Sequence, residues 1–195
     1  MAFETIISAQ TLVNYLDHPD WVIIDCRFDL DKPETSRLGY NERHLPNAQY
    51  AHLLDDLCSR PINGVTSRHP FPAIEAFSAR LSAWGINEKV QVVVYDDQDG
   101  GFAVRLWRML GWLGHRAVAL LDGGLNKWIE LGYPIQTGSV AVPGRVFVPN
   151  IRPELIVDSQ TAVRLHNQPE LIFLDTRSSR SYTGAKDPTS PACGH

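Results

Sequence analysis

The sequence predicts an α/β fold, a central parallel sheet flanked by helices, followed by the start of a second copy of the same unit. Two observations carry this. Short, continuously apolar runs alternate with stretches whose apolar residues recur at helical spacing, as in a sheet covered on both faces. In addition, the stretch from Ser8 to Arg27 aligns without a gap with Asp158 to Arg177, at a constant offset of 150 residues. Gln10/Gln160, Thr11/Thr161, Val13/Val163, Pro19/Pro169, Asp25/Asp175 and Arg27/Arg177 are identical, and Val22, Ile23 and Ile24 face Ile172, Phe173 and Leu174. Self-similarity at a fixed offset points to a duplicated unit. The expected organisation is a complete unit over 8–138, a linker over 139–153 rich in glycine, proline and small residues, and an incomplete second unit over 154–195 that breaks off after His195.

The elements follow in order. Ser8 is an N-cap candidate for a helix from Ala9 to about Leu16, with Leu12, Val13 and Leu16 on one face. The run Trp21-Val22-Ile23-Ile24, ending at Asp25, predicts a buried parallel strand. Residues 29–43 are polar and predict a loop, and Leu53 to Pro72 predicts a long connection punctuated by Pro61, Gly64, Pro70 and Pro72. Ile74, Phe77, Leu81 and Trp84 recur at helical spacing, and Gly85 stops that helix. Val90 to Tyr95 predicts a second buried strand, and the loop Asp96 to Gly101 leads into a helix carrying Phe102, Leu106, Met109, Leu110 and Leu113. Ala117 to Leu121 predicts a third strand, and Asp122-Gly123-Gly124 turns into a helix through Trp128 and Leu131.

Composition narrows the function. The chain of 195 residues is 44% hydrophobic and 21% charged, with a formal net charge of -4. That balance argues against nucleic acid or an anionic membrane as partner, because both require a basic face. It leaves room for small anionic substrates, which need only a local positive site. Three cysteines, Cys26, Cys58 and Cys193, with no CxxC spacing, predict neither a disulfide framework nor a zinc site. A reducing, cytoplasmic setting fits them. The N-terminus has no basic-then-apolar signal segment, and no apolar run approaches the ~20 residues of a membrane span.

Parallel sheets place their sites in loops at the C-terminal strand ends, which singles out Asp96 to Gly101. A tight loop entering a helix converges backbone N–H groups on an anion, with the helix dipole adding to the field. Asp96, Asp97 and Asp99 crowd this loop, and the sequence predicts that Asp99 and its neighbours cap the helix. A sharper alternative takes Asp97-x-Asp99-Gly100 as the paired carboxylates of a magnesium-dependent phosphohydrolase, with Gly101 standing where a threonine is expected. Cys26 is expected to be buried and inert, Cys58 to be a plain thiol near Arg60, and Cys193, before Gly194-His195, to lie outside the catalytic loop. The doubled pairs Asp25/Arg27 and Asp175/Arg177 predict structural ion pairs that fix strand ends.

Four motifs in order complete the pattern. They are Asp25-Cys26-Arg27 at a strand end, Tyr40 before His44-Leu45-Pro46-Asn47-Ala48, a strand–loop–helix unit from Val92 to Gly114-His115, and Leu121-Asp122-Gly123-Gly124-Leu125-Asn126-Lys127-Trp128. Together they resemble the two-domain rhodanese-type sulfurtransferases, the thiosulfate / 3-mercaptopyruvate sulfurtransferase family. The resemblance implies sulfur transfer from a small anionic donor, thiosulfate or 3-mercaptopyruvate, to a thiophile such as cyanide or a thiol, through a cysteine persulfide. It implies no metal and no organic cofactor, and a monomer at full length.

In the family the nucleophile directly follows a strand of the second unit, while the first unit is silent. Here Asp96 holds that position in the complete unit, so no catalytic residue is assigned and the chain as it stands is expected to be inactive. The family also places a donor-binding arginine six residues after the second unit's Asp. Ser181 stands there and Arg180 lies one earlier, which makes Arg180 the candidate. The rival from another class is a non-catalytic rhodanese-like binding or regulatory module.

Overall fold

The structure, a computed structural model, describes residues 2–177 and 179–184. The chain divides into two compact units, Met1–Pro153 and Glu154–His195.

The first unit is built on a five-stranded parallel sheet. Its strands are β1 (Ile6–Ile7), β2 (Trp21–Asp25), β3 (Gln49–Tyr50), β4 (Gln91–Tyr95) and β5 (Val118–Leu121), in the order β1-β5-β4-β2-β3. β2 and β4 run in register from Trp21↔Gln91 to Asp25↔Tyr95, so their C-terminal ends deliver Asp25 and Tyr95 side by side. Alternation along the strands serves two cores. Val22, Ile24, Val92, Val94 and Val118 face α3 (Leu53–Asp56), α4 (Ile74–Ala83) and α5 (Ala103–Trp112), through Leu53, Phe77, Leu81, Leu106, Met109 and Leu110. Ile23, Val93, Tyr95, Ala119 and Leu121 face α1 (Ala9–Leu12) and α6 (Gly124–Glu130), through Leu12, Leu125 and Trp128. Each such side chain, fully buried, contributes about 1.5–3 kcal/mol. That is why the apolar runs of β2 and β4 are continuous rather than alternating.

The helix starts obey the expected chemistry. Ser8 Oγ accepts from Thr11 N at 3.2 Å, and a 3-10 turn, Val13–Tyr15, continues α1. Residues 29–43 depart from expectation: they hold α2 (Pro33–Glu42), not a loop alone. Pro33 starts it at a position that needs no N–H. It buries only Ser36 and Tyr40, so the sequence carries no apolar stripe to announce it. Residues 139–149 form no helix or strand.

The second unit holds α7 (Ser159–Leu165), capped by Asp158 Oδ1 on Thr161 N at 2.7 Å, and α8 (Ser179–Tyr182). The strand expected at Leu171 to Leu174 is absent, and these side chains are 43–85% exposed. A strand needs a ladder partner, and no described residue supplies one. Among the described residues, no helix is long and apolar enough to cross a membrane.

Candidate functional site

The C-terminal ends of β2 and β4 carry the chemistry-bearing residues. After Tyr95 the chain turns through Asp99, at φ 56°, and Gly100, at φ 87°. Two successive left-handed residues curl the loop so that its amides point inward, the concave arrangement that holds anions. The anion they meet is the protein's own. Asp96 Oδ1 accepts from Gln98 N and Gly100 N at 2.9 Å each, and Oδ2 from Phe102 N and Ala103 N at 2.8 Å each. Asp96 is 1% exposed. All four donors precede or begin α5, so the carboxylate also meets the positive end of that helix.

The capping expected of Asp99 and its neighbours is present, and it is carried by Asp96 rather than by Asp99. Asp96 satisfies the free N–H groups, and Asp99 serves as the left-handed turn residue. The turn after β5 locks the loop from the other side, where Leu125 N donates to Asp96 O at 2.9 Å and Asn126 Nδ2 to Asp97 O at 3.1 Å. Gly124, at φ 52°, makes this approach possible, because a Cβ there would collide with the Asp96 carbonyl oxygen.

Asp25 and Arg27 form the expected structural pair. Arg27 Nε donates to Asp25 Oδ1 and Oδ2 at 3.1 and 3.0 Å, Nη2 to Oδ2 at 2.7 Å, and the Arg27 amide to Oδ1 at 2.9 Å. Arg27 Nη2 also reaches Arg43 O at 2.7 Å. The Tyr95 hydroxyl donates to Asp25 Oδ2 at 2.7 Å and accepts from Leu45 N at 3.1 Å. Burial, and then the Asp25 charge, push the Tyr95 phenol well above its ordinary range. His44 is buried beside this network, stacked on Tyr40 at 4.2 Å, with Nδ1 on Tyr40 O at 2.8 Å. His44 Nε2 has no hydrogen-bond partner among the described residues.

The paired-carboxylate alternative finds no support in this geometry. Asp97 lines a hollow of about 210 Å³ with Arg27, Ser36 and Gly39. Asp99 lines a different one, of about 290 Å³, with Gly100, Leu120 and Asp122. Burial pushes the Asp97 carboxyl up, partly offset by Arg27. Among the described residues, no group of three His, Cys, Asp or Glu side chains is placed to hold a metal ion.

Cys26 is buried, and desolvation followed by the charges of Asp25, Asp96 and Asp56 pushes its thiol well up. Cys58 is also buried, where the sequence predicts a plain thiol at the surface or half-buried near Arg60. Its neighbouring charge is Arg105, which offsets part of the upward push from burial. Both settings disfavour the thiolate. Cys193 lies outside the described residues, and Arg180 sits in α8. Sequence reasoning missed the self-capping by Asp96 and the Tyr95–Asp25 bond. Position supplies the first signal, since an Asp directly after a buried strand can fold back on the amides that follow it. The second arises from strand register and has no local signature.

A doubly covered parallel sheet with an anion-cradling loop at its strand ends defines an α/β domain whose candidate site lies at the C-terminal strand ends. A family model described as a rhodanese-like domain matches residues 8–131. The chain belongs to the rhodanese family. Over its whole length it is 38% identical to the "Probable 3-mercaptopyruvate sulfurtransferase" of Pseudomonas aeruginosa, of which it covers 69%. The structure of SseA from Escherichia coli, described by the "Rhodanese" fold and mechanism of 3-mercaptopyruvate sulfotransferases, matches with a TM-score of 0.73 at 25% identity, over 84% of this chain and 62% of that one. Tum1 of Saccharomyces cerevisiae shares the fold, with a TM-score of 0.82 at 21% identity over 100% of this chain and 68% of that one. The chain thus spans about two thirds of the length of these relatives.

Proposed function

We propose that this chain belongs to a sulfurtransferase moving sulfane sulfur from thiosulfate or 3-mercaptopyruvate to a thiophile, cyanide or a thiol, with its first unit as a non-catalytic framework. The observation that carries the division of labour is Asp96: the cradle suited to a thiolate or persulfide is filled by a carboxylate, which cannot carry sulfane sulfur. Residues 8–138 are the silent unit, 139–153 the linker, and residues from 154 the opening of a second unit whose own loop supplies the cysteine. There a thiolate attacks the sulfane sulfur of thiosulfate, the S–S bond breaks and sulfite leaves. The persulfide then yields thiocyanate with cyanide and regenerates the thiolate. Arg180 is the candidate to hold the anionic donor. A monomer acting in the cytoplasm fits the composition. The sulfurtransferase names of the relatives support this reading.

Purified chain, offered thiosulfate and cyanide, is expected to form no thiocyanate above background. Turnover that disappears in Cys193→Ser would overturn the assignment and make Cys193 the nucleophile. The same filled cradle favours a second reading, a rhodanese-like module that binds a partner without catalysis. Turnover by a longer chain that includes the second unit's cysteine loop separates the two.

A further inference from the structure

At the end of the sheet opposite the Asp96 loop lies a cavity of about 350 Å³. Its walls are Trp21 and Val22 at the start of β2, Trp84 after α4, and Val142 and Pro143 from the segment that crosses below the sheet. The size is at the small end of ligand sites, room for one or two fused rings, and such sites are mostly apolar with a few placed polar groups.

Of the polar residues that line it, Asp17, His18, Asn47, Gln49 and Arg145, only Gln49 is buried. Gln49, the first residue of β3, lines the cavity and is 6% exposed. Its Nε2 donates to Trp84 O at 2.8 Å, and because a carbonyl only accepts, that bond fixes which way the amide faces. Oε1 accepts no hydrogen bond from any described residue. Nor is it sealed off like His44 Nε2, and Gln49 is a residue of the cavity wall, which makes Oε1 the acceptor available to a ligand there. An acceptor in an apolar, aromatic pocket calls for a ligand that brings a donor, since leaving it unpaired against an apolar group carries the desolvation cost.

The rim sets the ligand's charge. Arg145 is engaged with Asp20 Oδ1 at 3.2 Å and Pro19 O at 2.6 Å, and Asp17 adds a further carboxylate. With Arg145 already paired and Asp17 adding negative charge, the rim favours a neutral ligand over an anion. We propose that this cavity binds a small, neutral, planar heteroaromatic compound with a ring N–H, of the indole class. The N–H donates to Gln49 Oε1 and the ring packs among Trp21, Trp84 and Pro143. The site is independent of the sulfur-transfer reading, and neither stands or falls with the other.

Indole and benzofuran test it, because the two are nearly isosteric and only indole carries the N–H. Each is titrated into the full chain while the side-chain N–H signals of Trp21 and Trp84 are followed by NMR. Indole is expected to shift both saturably, with benzofuran about tenfold weaker, the worth of one hydrogen bond in such a pocket. Val142→Trp, on the partly exposed crossing segment, fills the space and is expected to abolish the indole response with the circular dichroism unchanged. Gln49→Met is expected to bring the two compounds to equal affinity. Three results overturn the proposal: no saturable response to indole, equal affinity of the native chain for both compounds, or undiminished indole binding in folded Val142→Trp.

Discussion

Asp96 shows how one side chain decides what a loop is for. Four backbone N–H groups are aimed at its two oxygens, so a single atom exchange has a calculable effect. In Asp96→Asn the amide keeps one oxygen for two of the donors and turns an NH₂ toward the other two. The cost is expected to be about 1–3 kcal/mol, the penalty for buried donors left facing a donor, read as a lower urea midpoint at unchanged slope. The Asp25 network makes a prediction in pH. Burial raises Tyr50 from its ordinary 10 to about 12, and it pushes Tyr95 and Cys26 well up. A group whose folded pKa is raised holds its proton more tightly in the fold. Its contribution is complete below the unfolded value and is lost as pH rises toward the folded one. The urea midpoint is therefore expected to hold to about pH 9 and fall steadily beyond it. A midpoint flat to pH 11 would show these groups to be solvated. In a Cys193→Ser background, Cys26 and Cys58 are expected to resist a thiol reagent at pH 8 until denaturant is added.

At the scale of elements, the turn from β5 into α6 holds the Asp96 loop by close backbone approach. Gly124→Ala puts a Cβ against a carbonyl oxygen that cannot move without breaking the Leu125 N bond. It also forces an alanine to φ 52°. The expected loss is more than about 2 kcal/mol, by thermal unfolding, whereas Gly132→Ala, at positive φ but in open space, should cost less. What the sequence revealed of these elements follows the apolar pattern. β2, β4 and β5 are legible because both their faces are buried, which leaves continuous runs such as Val92-Val93-Val94. β1 and β3 are two residues long and give no pattern to find. α2 is hidden because its buried residues are Ser36 and Tyr40 rather than an apolar stripe. The position of the candidate loop was legible for the same reason as β4: it begins where that run ends. Its internal bonding was not, because Asp96, Asp97 and Asp99 are equivalent as letters, and only the left-handed turn at Asp99 and Gly100 selects the first as the cap.

For the molecule as a whole, protection from hydrogen exchange is expected to divide the chain. Amides of Val92 to Val94, buried and laddered on both sides, should exchange only by global opening. Those of Leu171 to Leu174, exposed and outside any strand, should exchange within seconds to minutes. Strong protection there would mean that a partner strand is being found, by self-association or otherwise. Just past this unladdered stretch, Arg177 Nη2 donates to Asp175 Oδ2 at 2.6 Å, Nε to the two oxygens at 3.0 and 2.9 Å, and the Arg177 amide to Oδ1 at 2.9 Å. That is nearly the geometry of Asp25 and Arg27, although one pair ends a buried strand and the other ends no strand. The arrangement therefore does not depend on a strand around it. Loops of about ten residues close in about 10–100 ns, while β2 and β4 must find each other across a separation of 70 residues. The ion pair is therefore expected to form ahead of strand pairing, so that the strand meets its neighbours with its charged end already neutralised.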